Sequence, residues 1–154
     1  MKIESSAFVP GGSIPAIHTC DGEDRIPPLA FSGIPSDARS LVLIMDDPDV
    51  PASVRKECMW DHWVRWNIPP QTLSVAEGEE PPGVIGKNTG GKPGYMGPCP
   101  PDREHRYFFK LYALDTMLDL DPTAATKTDV ETAMEGHILD RAELMGRYNR
   151  PQNQ

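Results

Sequence analysis

The sequence predicts a mostly β protein forming one domain over residues 1–154. Three observations predict it. Seventeen prolines and 13 glycines interrupt the chain too often for long helices, since proline lacks an amide proton and clashes with the preceding turn. Three apolar runs, at residues 40–46, 60–68 and 105–115, read as strands. Only one stretch, near residues 128–140, repeats apolar residues at helical spacing.

The elements follow in order. Residues 1–35 carry Gly11-Gly12, Pro15, Gly22, Pro27-Pro28, Gly33 and Pro35, which predicts short strands joined by turns. Residues 40–46 are apolar on both faces, the pattern of a fully buried strand. Residues 60–68 and 105–115 are two more strands. Between them, residues 77–104 form a segment too long for a simple connection, and loops of that length usually carry function. Val130, Ala133, Met134, Ile138 and Leu139 then recur at helical spacing, with Thr128 or Asp129 as the expected N-cap and an end near Asp140. Glu143 to Tyr148 reads as a last strand. No repeat or linker divides the chain, and 154 residues suffice for a proper core.

Fifteen basic against 23 acidic residues give a net charge of −8. Non-specific nucleic-acid or anionic-membrane binding needs a positive field and is not expected. Any anion must be caught locally. The longest apolar run, Leu41 to Met45, is far too short to span a bilayer. Met1 to Ser6 contains no apolar leader core, so no secretory signal is expected. Cys20, Cys58 and Cys99 cannot all pair and include no CxxC, which predicts reduced thiols in a cytoplasmic protein.

The candidate site rests on two histidines and an aspartate. In a strand, residues two apart share a face. His62 therefore aligns with Trp60, Val64, Trp66 and Ile68, and His105 with Tyr107, Phe109, Leu111 and Ala113. A titratable ring among such neighbours must be hydrogen-bonded, paired or used. Asp47 ends the strand on the face of Leu41, Leu43 and Met45, within the turn Asp47-Pro48-Asp49-Val50-Pro51. Aspartate and proline also form ordinary turns, so a functional Asp47 must reach a histidine. Gly94 to Pro101 is a stiff loop with few amide donors, among which that of Cys99 is free to face a ligand. Two rival readings are a Cys99 nucleophile with a histidine base and a two-histidine, one-carboxylate metal site. No His-x-His or His-Glu-x-x-His supports the latter, so neither metal nor cofactor is expected. Arg55, Lys56 and Arg103 read as solvated charge.

At these residues the chain resembles the phosphatidylethanolamine-binding, or Raf kinase inhibitor-like, proteins, in their short bacterial and archaeal branch. The resemblance runs through Gly11-Gly12-x-Ile14-Pro15, Thr19-Cys20-Asp21-Gly22, Asp47-Pro48-Asp49-x-Pro51, His62-Trp63, Gly97-Pro98-Cys99-Pro100-Pro101 and His105-Arg106-Tyr107. It implies a large central antiparallel sheet, a smaller sheet packed on it and few helices. It also implies a pocket for phosphate or a phosphate-bearing head group. By position the pocket would use Asp47, His62, Gly97, Pro98, Cys99, Pro100, His105 and Tyr107, supported by Asp49 and Arg106. Family members are described mostly as binders and as inhibitors of kinases or proteases. Two departures stand out. Asp102-Arg103-Glu104 lacks the usual glycine before His105-Arg106, and Gly90 replaces a usual aromatic.

A carboxylate in an anion site repels its ligand, by about 4 kcal/mol for unit charges 4 Å apart at an effective dielectric near 20. Asp47 suits such a site if it holds a histidine in its charged form or accepts a proton from a protonated ligand. The expected function is thus small-anion or phospho-ligand binding, with modulation of a kinase or protease. The alternative is a hydrolase using His62 and His105 as acid and base on a phosphate or acyl ester.

Overall fold

The computed structural model describes residues 1–154. Two antiparallel sheets make up the fold. The small one contains β1 (Lys2–Glu4), β2 (Leu29–Ser32) and β5 (Ser74–Val75), in the order β1-β2-β5. The large one contains β3 (Ser40–Asp47), β4 (Trp60–Ile68), β6 (Val84–Ile85), β7 (His105–Leu114) and β8 (Ile138–Tyr148), in the order β6-β4-β3-β7-β8. One α-helix, α1 (Lys127–Met134), and two short 3₁₀ turns complete it.

The central strand β3 is buried along its whole length because both faces of the large sheet are covered. One face packs Leu41, Leu43, Met45, Trp63, Phe109 and Leu111 against Ile3, Leu29, Phe31 and Val75 of the small sheet. The other packs Val42, Ile44, Val64 and Trp66 against Val130 and Met134 of α1. Helix, large sheet and small sheet therefore form three layers.

Strict alternation fails along β4. Met45 pairs with Trp63, and Asp46 pairs with Asp61, so His62 is the extra residue of a β-bulge. The bulge turns His62 away from the helix-side face of Val64 and Trp66 and toward the side of Asp47. A second irregularity lies between Leu41 and Leu43, opposite Asn67, whose φ is 53°. Asn67 there exchanges two 2.8 Å hydrogen bonds with the Leu118 backbone, and Ile68 returns to the inter-sheet core.

The helix is shorter than its periodicity predicts. Thr126, not Thr128 or Asp129, is the N-cap, and Asp129 serves as the third residue of a capping box. The helix stops at Met134 because Gly136 takes a left-handed φ of 79°. Ile138 and Leu139 instead open β8, whose pairing with β7 outweighs their helical spacing.

The segment between β4 and β7 is anchored by a residue pair that sequence reading does not single out. Arg65 is fully buried and forms an ion pair with Glu80. Glu80 also accepts from Trp63 Nε1 and from the Tyr95 N–H, both at 2.9 Å. The remaining Arg65 donors reach the Val84, Pro81 and Gly83 carbonyls. Breaking a buried pair strands the surviving charge. Glu80→Ala should therefore lower unfolding free energy in denaturant titrations by about 3 kcal/mol, the lower end for a buried pair because Glu80 is partly solvated.

Candidate functional site

Asp47, at the end of β3, has both carboxylate oxygens engaged. Oδ1 accepts the Asp49 N–H at 2.8 Å, closing the Asp-Pro-Asp turn. Oδ2 lies 2.7 Å from His105 Nδ1. His105 is fully buried at the start of β7, and its Nε2 lies 2.7 Å from Asp102 Oδ1. A carboxylate only accepts, so two carboxylate partners call for the doubly protonated ring. Burial opposes that charge, but the hydrogen bonds and charges of Asp47 and Asp102 outweigh it and raise the His105 pKa above 6.5.

His62 is in the opposite state. Burial holds its pKa below 6.5, against smaller pulls from the Met96 carbonyl and the Asp47, Asp61 and Asp46 charges. Nδ1 sits 2.6 Å from the Met96 carbonyl oxygen. A carbonyl cannot donate, so in the neutral ring Nδ1 carries the proton and Nε2 is the acceptor. Nε2 has no hydrogen-bond partner in the protein.

The cavity beside them measures about 210 Å³ and is lined by Asp47, Val50, Val54, Trp60, His62, Met96, Gly97, Cys99, Pro101 and Tyr107. Tyr107 is buried next to His62, with ring centroids 5.3 Å apart and edge-to-face. Its hydroxyl meets no partner in good hydrogen-bond geometry, although the Asp47 carboxylate lies close enough to act on it. Burial first, then the nearby Asp47 carboxylate, raise its pKa, so the phenol remains a donor. The Cys99 N–H likewise has no partner in the protein. Of the other residues proposed from sequence, His105 stands behind Asp47 rather than in the wall, and Pro98 and Pro100 lie in the rim loop without lining the cavity. Asp49 grips Arg106 through Nε at 2.9 Å and an Nη at 2.8 Å, which fastens the turn to β7.

The rim loop is positioned by close approach. A Cβ on Gly97 would collide with Asp24 Oδ1 and the His18 carbonyl, and the Gly97 N–H donates to that same Asp24 at 3.0 Å. The expectation of three reduced thiols is overturned: Cys20 and Cys99 form a disulfide, and only Cys58 is free. Cys99 has no thiol in this state and is not a nucleophile. Pairing across 79 residues is a tertiary event that spacing could not reveal. Asp102, His18, Asp24 and Glu80 also support this region without having been singled out from sequence. Asp102 alone carried a local signal, three residues before His105.

A family model described as phosphatidylethanolamine-binding protein matches residues 4–149. The chain is 51% identical to a UPF0098 protein of Methanothermobacter thermautotrophicus, over 97% of this chain and 99% of that one. It is 50% identical to a UPF0098 protein of Chlamydia muridarum, over 96% of this chain and 98% of the relative. A crystal structure of a phosphatidylethanolamine-binding protein homologue from Chlamydia trachomatis superposes with a TM-score of 0.93 at 47% identity, covering 97% of both chains. Escherichia coli YbcL gives 0.86 at 26% identity, covering 97% of this chain and 98% of YbcL.

The disulfide closes a 79-residue loop, which a chain-entropy treatment values at about 4–5 kcal/mol. Reduction with a dithiol should lower the thermal midpoint by several degrees, read by calorimetry with and without reductant. An unchanged midpoint would show that the bond adds nothing to stability.

Proposed function

The chain belongs to the phosphatidylethanolamine-binding protein family, and from that membership and the cavity we propose that it binds small anions or phosphate-bearing ligands. Through the bound state it would modulate a protein partner, a kinase or a protease. The observation that carries the reading is a pair of unpartnered donors, the buried Tyr107 hydroxyl and the Cys99 N–H, on residues of one cavity wall. Oxyanion oxygens satisfy such donors, and a buried donor left unsatisfied is costly. His62 Nε2, the unpartnered acceptor of the free ring, would become a donor to a ligand oxygen on taking up a proton. The mostly apolar wall of Val50, Val54, Trp60, Met96 and Pro101 suits a compact organic group attached to it.

The hydrolase alternative is weaker on geometry. Both His105 nitrogens are held by carboxylates and the ring is fully buried, so it has no free site for proton exchange with a substrate. No helix is long and apolar enough to cross a membrane. The Cys20–Cys99 bond removes the unpaired thiols as one of the grounds for the cytoplasmic expectation.

Binding a dianion should draw a proton onto His62 or leave one on the ligand. Affinity for inorganic phosphate should therefore rise as pH falls through 6.5 and keep rising until the free His62 ring titrates below that value. Inorganic sulfate carries no exchangeable proton in this range, so its dependence should vanish in His62→Ala. Calorimetry against pH reads both, and affinity that is flat or rises with pH contradicts the proposal. Tyr107→Phe should weaken phosphate roughly tenfold, the value of about one hydrogen bond to a charged acceptor. Unchanged affinity would remove the carrying observation.

A further inference from the structure

The rim loop between Met96 and His105 has little of its own to hold it. Pro98, Pro100 and Pro101 have no amide proton. Its first half is tied down by the Gly97–Asp24 contact, the Cys20 N–H donating to the Pro98 carbonyl, the Cys20–Cys99 bond and Asn153 Nδ2 donating to the Pro100 carbonyl. From Pro101 to Glu104 the backbone makes no hydrogen bond to other backbone. Arg103 and Glu104 contribute only exposed contacts. The one contact of this half with a buried group is that of Asp102 with His105 Nε2, at 2.7 Å.

We propose that Asp102 is a positioning residue of the cavity: it docks on the charged His105 ring, which Asp47 holds from the other side, and so sets how closely Pro101 closes the mouth. This rests on the binding reading above. The contact joins rim, β7 and β3 through one ring. It also has a direction of failure. A neutral imidazole has one N–H, so deprotonation deprives one carboxylate of its donor. Asp47 is 2% exposed, and its other oxygen is already committed, so it keeps the remaining proton. Asp102 has a side chain 38% exposed, and water can replace its partner. The rim's second half is therefore what lets go.

Among the groups around the ring, the free donor, the Tyr107 hydroxyl, acts on Asp47 and not on Asp102. Tyr107 lies alongside it with ring centroids 6.4 Å apart, and Tyr148 is its register partner on β8, with its hydroxyl donating to Asp21. Asp49 and Arg106 are satisfied by one another. Arg103 approaches Asp102 only from solvent, at 3.7 Å.

The test compares the parent with Asp102→Ala and Asp102→Asn, on surface-accessible positions that leave the core intact. NMR follows the His105 ring against pH, 15N relaxation gives order parameters for the amides of residues 102–104, and calorimetry gives affinity for inorganic phosphate at pH 6. Asp102→Ala should shift the His105 titration down, lower the order parameters of residues 102–104, and weaken phosphate about tenfold. Asp102→Asn, which keeps an acceptor without the charge, should fall between. An unmoved titration or unmoved order parameters overturn the clamp, and moved values with equal phosphate affinity overturn its positioning role. Phosphate binding by none of the three proteins sinks the binding reading, and the clamp is then judged on titration and order parameters alone.

Discussion

The site depends on two buried charges that cannot exist apart. Asp47 and His105 lie on neighbouring strands at the same end of the large sheet, both nearly inaccessible to water and 2.7 Å apart. Either charge alone would face a desolvation penalty of several kcal/mol in such surroundings. Together, with Asp102 and the Asp49 amide taking the remaining bonding capacity, they form a satisfied network. That network fixes the end of β3, the start of β7, the Asp-Pro-Asp turn and the Pro-rich rim against one another.

The consequence for chemistry is a division of labour between the two histidines. His105 holds the frame and has no nitrogen left for a ligand. His62, uncharged and with one nitrogen unpartnered, faces the side of Asp47 only because β4 carries an extra residue at that point. Without the bulge it would join Val64 and Trp66 under the helix. The charge of Asp47 at the cavity is matched from behind by the His105 imidazolium.

The rim illustrates how a loop poor in hydrogen bonds is made rigid from outside. Glu80 gathers donors from Trp63, Arg65 and Tyr95 and sets the long segment on β4. Tyr95 packs edge-on against Trp63 and donates to the His18 carbonyl. Gly97 then fits where any side chain would collide, and the disulfide fastens the next turn. The same economy appears on the helix side, where Lys127 spans Asp46 and Asp61 and locks α1 to β3 and β4.

The sequence by itself determined the fold class and three strands of the large sheet, because apolar runs and proline density are local properties; the last strand, read as 143–148, starts five residues earlier at Ile138. Residues 60–68 were bounded as they stand in β4, and 40–46 and 105–115 within one residue of β3 and β7. The blocks around Asp47, His62, Gly97 and His105 meet at one end of the large sheet, where Asp47, His62 and Gly97 line one cavity. The tertiary structure decided the rest. The helix ended early because strand pairing claimed Ile138 and Leu139. Cys99 was bonded rather than free because a residue 79 positions away lies beside it. The face of His62 was set by a register shift against β3, and the state of each imidazole by how many carboxylates reach it. Periodicity reports which residues are buried; only the packed structure decides what each buried polar atom meets, and that meeting sets its charge.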